Sequence, residues 1–227
     1  MKILNIALFS LVASVLSAPA FAGVQIGGTR VVYNEKDKEA SVQLRNPDDR
    51  AFLVQSWTES EAGSPDKSFA VTPPLFRLDA RQNNALRILF RGAALPADRE
   101  SLYWLNVKAI PSTPREHTRN QLQLSVKTRI KLIYRPASLQ GTSPAEFAGS
   151  LKWHNAGSRV TVQNDTPYYM NFSSVTLNGV ALNGVTYVAP KSSQSFDKGP
   201  AKGGGSLEWK VFNDFGVAGQ TFSSQLP

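Results

Sequence analysis

The 227-residue sequence contains no cysteine. No disulfide can staple it, so hydrophobic cores must hold it together. It has two histidines, His117 and His154. They fall in stretches assigned below to different domains, and with no thiolate to join them a zinc site is poorly supported. Patterns of helical period are nearly absent. After residue 22 no run is long and apolar enough to span a bilayer. There is no G-x-S-x-G nucleophile elbow, and Gly203-Gly204-Gly205 lacks the Lys-Ser/Thr of a phosphate loop. Asn213-Asp214-Phe215-Gly216 carries the letters of a kinase motif without the loops that go with it, and reads as a turn. Glu59 and Glu61 share strand parity but run into a turn, and read as a solvated face rather than an acid/base pair. No enzyme, metal or cofactor is expected.

What is present begins with a leader. Lys2, the apolar run Ile3 to Leu16 and Ala20-Phe21-Ala22 have the order of a secretory signal peptide cleaved before Gly23. The remaining two hundred or so residues suffice for one large or two ordinary β domains. Lys plus Arg number 25 against 17 Asp plus Glu, a net charge of +8, or +7 once Lys2 is removed. Such an excess fits an acidic partner, an anionic surface or simple solubility. Export and the lack of basic runs interleaved with aromatics argue against nucleic acid.

Short runs rich in Val, Thr, Leu, Tyr and Phe alternate with Gly, Pro, Asn and Asp clusters, the pattern of β-sandwiches. In the first half, strands are expected at 24–33, 39–45, 52–59, 69–72, 75–78, 85–90, 101–110 and 121–134. Thr72-Pro73-Pro74 removes two successive backbone donors and belongs at a strand switch or edge. Leu139 to Glu146 reads as a linker. A second set of strands follows at 149–154, 159–164, 168–177, 185–188, 193–196, 205–213 and 217–226, with hairpin-type turns at Asn178-Gly179 and Asn183-Gly184. The fold class is therefore all-β: a leader at 1–22, a sandwich at 23–139 and a second at 140–227.

Gln121 to Pro136 stands out. Leu122, Leu124, Val126, Thr128, Ile130, Leu132 and Tyr134 share one face, and Lys127, Arg129 and Lys131 alternate with them. It is about twice the usual strand length. Its N-terminal half has an apolar face; its C-terminal half adds the three cations. Such a strand projects past its sheet or bends.

The chain resembles the periplasmic pilus-assembly chaperones of the chaperone–usher pathway. The resemblance rests on Thr29-Arg30-Val31-Val32-Tyr33, residues 72–78 (TPPLFRL), 98–106 (DRESLYWLN), Ile110-Pro111, 127–136 (KTRIKLIYRP), 164–169 (NDTPYY), 192–196 (SSQSF) and Asn213-Asp214-Phe215-Gly216. These pieces fall in family order over nearly the whole mature chain. The resemblance implies two immunoglobulin-like domains set like a boomerang around a cleft. It implies a chaperone that lends a strand to pilus or fimbrial subunits, each lacking its own last strand, in 1:1 complexes passed to an outer-membrane usher. Position by position, Arg30 and Lys131 match the cations that hold the subunit's C-terminal carboxylate. Glu100, Arg135 and Asp214 match the interdomain salt-bridge set. Leu122, Leu124 and Val126 match the residues that fill the subunit groove.

Alternation alone instead places those three on the side of the chain's own core residues, Ile130 and Leu132. A bulge or strong twist midway would reconcile the two assignments. The short connection from Ile110 to Gln121 fits the branch that assembles rod-like fibres. Self-association through the apolar strand when no client is bound is a further expectation. Two other classes remain open: an exported fibre subunit of similar fold, and a glycan-binding sandwich using Trp57, Trp104, Trp153 and Trp209, which core packing explains as well.

Overall fold

The computed structural model describes residues 23–112, 123–201 and 203–227. The leader, Leu122 and most of the Ile110–Gln121 connection with its His117 lie outside the described residues. Seventeen strands among them form two sandwiches, as the alternating pattern requires.

In the first, β1 (Gln25–Ile26), β3 (Ala40–Arg45), β7 (Asn83–Phe90) and β5 (Phe69–Thr72) form one sheet in the order β1-β3-β7-β5. The facing sheet is β2 (Arg30–Asn34), β9 (Val126–Arg135), β8 (Ser101–Pro111), β4 (Phe52–Ser60) and β6 (Leu75–Leu78), ordered β2-β9-β8-β4-β6. Strands β2 and β9 pair in parallel and the rest of this sheet is antiparallel. Pro73-Pro74 sits where the chain leaves β5 for β6 in the other sheet, the expected strand switch.

The expected single strand at 24–33 is two strands. The chain crosses between sheets at Gly27-Gly28, where the Gly27 amide donates to Gln43 O at 2.8 Å. A Cβ on Gly27 would lie 3.2 Å from that same carbonyl, so the crossover runs tight against β3. Between the sheets, Tyr33, Phe69, Phe90, Tyr103 and Tyr134 pack ring on ring, with centroids as close as 4.9 Å. Leu44, Leu86, Leu105 and Leu132 fill the space beside them.

The second sandwich sets β10 (Lys152–Ala156), β11 (Arg159–Asn164) and β15 (Ser192–Asp197) against β12 (Met170–Leu177), β13 (Val180–Ala181), β16 (Gly205–Val211) and β17 (Phe222–Leu226). A short β14 (Tyr187–Val188) pairs with β12. Asn178-Gly179 closes the β12–β13 hairpin with both residues at positive φ, as that dipeptide predicts. Trp153, Phe172 and Trp209 centre the core, and Trp209 Nε1 donates to Ala148 O at 2.9 Å.

The expected linker at 139–146 is ordered. A 3-10 turn at Ala137–Leu139 leads to α1 (Pro144–Phe147), and a second 3-10 turn at Ala148–Ser150 delays the next strand to Lys152. Ser143 and Glu146 form a capping box, with Pro144 inside the first turn. The linker reading passed over this cap. The expected strand at 217–226 is shorter too: Ala218 makes only an isolated bridge to Phe212 before β17.

Candidate functional site

The two sandwiches meet along a cleft whose first wall is the outer face of the β2-β9-β8-β4 sheet. Register builds its centre. Arg30, first residue of β2, stands directly beside Lys131 on β9. Sequence alone gave no reason for this; parallel pairing supplies it. Both side chains reach the second domain. The Arg30 guanidinium lies over the Phe212 ring, 4.9 Å from its centroid, and its Nε is buried with no partner among the described residues. Lys131 Nζ donates to Asn171 Oδ1 and sits over the Tyr187 ring at 4.6 Å. Burial lowers the Arg30 pKa, partly offset by Asp214. Burial, then the charge of Arg30, brings Lys131 down to about 8. Two like charges held side by side, part-desolvated, with one nitrogen unpartnered, make a site for an anion.

Glu100, Arg135 and Asp214 come together at the hinge. Arg135 Nη1 and Nη2 each donate to Asp214 at 2.7 Å, a bidentate fork, and Nε donates to Glu100 Oε1 at 2.9 Å. The second Glu100 oxygen accepts the Tyr169 amide at 2.8 Å. The side chains of Arg135 and Glu100 are 6% and 0% exposed, so this is a buried charge network crossing from one domain to the other. Burial pushes the Glu100 carboxyl up to about 7, against the pull of Arg135 and the Tyr169 amide. Burial opposes the charge on Arg135, but Asp214 and Glu100 hold its pKa above the ordinary value.

Asp214 belongs to the Asn213–Gly216 turn. Asn213 Oδ1 accepts the amides of Phe215 and Val217. Gly216 has φ of +78° and packs so closely that a Cβ would fall 2.5 Å from Thr29 Oγ1. The turn therefore docks its domain beside Arg30.

Strand β9 carries the third feature. From Ser101↔Tyr134 to Ala109↔Val126 its register with β8 is unbroken. Neither the expected bulge nor a bend is needed. Ile130 and Leu132 are sealed in the core, whereas on the same face Val126 is 54% exposed and Leu124, just before the strand, 69% exposed. The strand simply outruns the opposite sheet. Its second edge is open as well: β2 starts at Arg30 opposite Lys131, so no strand among the described residues pairs with Val126–Ile130 on that side.

Sequence reading missed the second domain's share of the cleft. Asn171, Tyr187 and Phe212 sit in ordinary strand contexts and carry no local signal. It also missed the partners of two glutamates. Glu61 accepts the hydroxyls of Tyr169 and Tyr187 at 2.9 Å each, tying the domains together. Glu59 accepts Trp57 Nε1 at 2.9 Å and pairs with Lys127 at 3.1 Å and Arg129 at 3.3 Å. These partners hold its pKa below the usual carboxylate range, the Trp57 hydrogen bond foremost. The Glu59 side chain is only 13% exposed, whereas Glu61 stays exposed with both oxygens engaged. Trp153 and Trp209 are core residues; Trp57 and Trp104 instead stand half-buried on the cleft face, each under a cation.

Solved structures share this architecture. The chain superposes at a TM-score of 0.85 and 37% identity on a structure of the Salmonella enterica SafA pilin in complex with the SafB chaperone, covering 92% of this chain and 99% of that one. The Escherichia coli chaperone DraB gives 0.81 and 39%, covering 90% and 96%. The fold is that of two-domain fibre-assembly chaperones. Residues 23–140 match the model for the pili and flagellar-assembly chaperone PapD N-terminal domain, and residues 146–223 that for the PapD C-terminal domain. The chain belongs to this PapD-type family of pili assembly chaperones. Among curated relatives, the probable fimbrial chaperone SfmC of E. coli K12 is 38% identical over 218 residues, 95% of this chain and 93% of the relative. The probable fimbrial chaperone LpfB of E. coli O157:H7 is 40% identical over 210 residues, 90% and 89%.

Proposed function

We propose that the protein is a periplasmic chaperone that captures pilus or fimbrial subunits one to one, lends them β9 and passes them to an outer-membrane usher, with no catalytic step. The observation that carries this is the single face of β9, sealed at Ile130 and Leu132 and bare at Leu124 and Val126. Burying each bare side chain in a subunit groove would recover about 1.5–3 kcal/mol. The open edge of Val126–Ile130 supplies main-chain partners to the same subunit. Leu122 would extend the apolar row.

The cleft cations set the register. A client strand on the open edge lies in line with β2. Running parallel to β9, it would end at Arg30 and Lys131, where its C-terminal carboxylate meets both charges. Glu100, Arg135 and Asp214 keep the second domain, and hence Phe212, Asn171 and Tyr187, in place around that group. The periplasmic assignment draws on the leader-like N-terminus and the named relatives. Among the described residues no helix is long and apolar enough to cross a membrane.

The test is a client-derived C-terminal peptide as free acid and as amide. The free acid should bind tightly, and Arg30→Ala or Lys131→Ala should each cost about 2–5 kcal/mol, roughly thirty-fold to a few thousand-fold. Because both hold one group, the double variant should lose less than the sum. Equal binding of the amide would overturn the anchor.

A further inference from the structure

The carboxylate anchor uses two cations and leaves most of the basic surplus unexplained. On the cleft face of β9 the cations form a ladder. Lys127 Nζ lies 5.0 Å over the Trp57 ring, the Arg129 guanidinium 4.2 Å over Trp104, and Lys131 Nζ 4.6 Å over Tyr187. The rings come from β4, β8 and the second domain, so three separate elements hold successive rungs in fixed positions. Lys108 stands directly opposite Lys127 on β8. Among the described residues Glu59 is the one carboxylate ion-paired with these four, bridging Lys127 and Arg129. Glu61 is nearby, but its oxygens accept tyrosine hydroxyls. The face therefore carries a surplus of positive charge, spaced every second residue, about 6.6 Å apart.

We propose that this ladder reads acidic side chains on the client strand that docks beside β9. This rests on the strand-lending reading above. A parallel client strand has the same two-residue period, so the side chains on its cleft face fall beside Arg129 and Lys127 when its end is at Lys131. The opposite face enters the apolar row and carries no charge. Asp or Glu at the client positions opposite Arg129 and Lys127 would meet those cations, and Lys or Arg there would be repelled. The ladder is thus a specificity element, acting after the carboxylate has set the register.

The experiment uses the full mature chain and three free-acid peptides of one alternating apolar design. The two cleft-face positions carry Glu, Ser or Lys. Affinities by calorimetry at about 0.05 M salt should rank Glu above Ser above Lys, each step a few-fold, and the ranking should collapse at about 0.5 M. In Lys127→Gln/Arg129→Gln, the ratio of Glu-peptide to Ser-peptide affinity should fall toward one at low salt, with a thermal melt confirming the fold. Equal affinities in the wild type at low salt, or an unchanged ratio in a folded double variant, would overturn the proposal. The salt series on the wild type decides it without any variant. Amidating the same peptides tests the anchor separately: loss of binding on amidation with no Glu preference would leave the anchor standing and the ladder wrong.

Discussion

Raising the pH should weaken carboxylate binding in the cleft, and Lys131 sets where. With the cleft empty, burial and then Arg30 bring its ammonium down to about 8. A bound carboxylate adds an opposite charge and returns the pKa toward the ordinary lysine value near 10.4. Above pH 8 the complex therefore holds more protons than free protein plus peptide, and linkage requires affinity to fall as pH rises. Lys131 is about 90% protonated at pH 7 and about 3% at pH 9.5, which gives roughly a thirty-fold loss between them. Fluorescence anisotropy of a labelled free-acid peptide reads this directly. Lys131→Arg keeps its charge throughout and should give a nearly flat profile. Arg30→Gln removes the neighbouring charge, so its weaker binding should begin to fall at higher pH. An amidated peptide should show no such profile. A wild-type affinity constant from pH 7 to 9.5, or a Lys131→Arg profile that falls like the wild type, would refute the argument.

How much of this could be read beforehand depended on range. Alternation located most strands because a pleat exposes its period in the sequence itself. Thr72-Pro73-Pro74 marked the sheet switch because proline cannot donate. The crossover at Gly27-Gly28 was missed because two strands in different sheets leave one unbroken β-like run. The Ser143–Glu146 cap was overlooked because one turn of helix has no period to detect. For the site, resemblance supplied the identities of Arg30, Lys131, Glu100, Arg135 and Asp214, and the structure supplied their geometry. No local pattern tells that residues 101 positions apart pair in parallel, as Arg30 and Lys131 do. Asn171, Tyr187 and Phe212 were out of reach for the same reason. The puzzle of β9 dissolved without a bulge: alternation fixes which face a residue takes, and only the extent of the opposing sheet fixes whether that face is covered.

The remaining predictions concern the hinge, the turn and the strand. Arg135→Ala strands the Glu100 carboxylate in a buried site beside Asp214, and should cost about 3–5 kcal/mol in denaturant unfolding; a loss below about 1 kcal/mol would mean the network is not holding the domains. Gly216→Ala must strain the left-handed backbone, about 1–2 kcal/mol, and push on Thr29, so client affinity should drop together with the melting temperature. An affinity left intact would separate the turn from the Arg30 side of the cleft. The sharpest contrast pairs two substitutions on one face of one strand. Ile130→Glu buries a charge in the first sandwich, where the residue is 6% exposed, and should unfold that domain. Leu124→Glu, six positions away with the same parity, places the charge in solvent and should leave the melt unchanged. It should nevertheless abolish protection of a co-expressed subunit from proteolysis, because the charge enters an apolar groove only with the client present. A Leu124→Glu protein that melts normally and still protects the subunit would remove Leu124 from the groove; one that unfolds like Ile130→Glu would return it to the domain's own core.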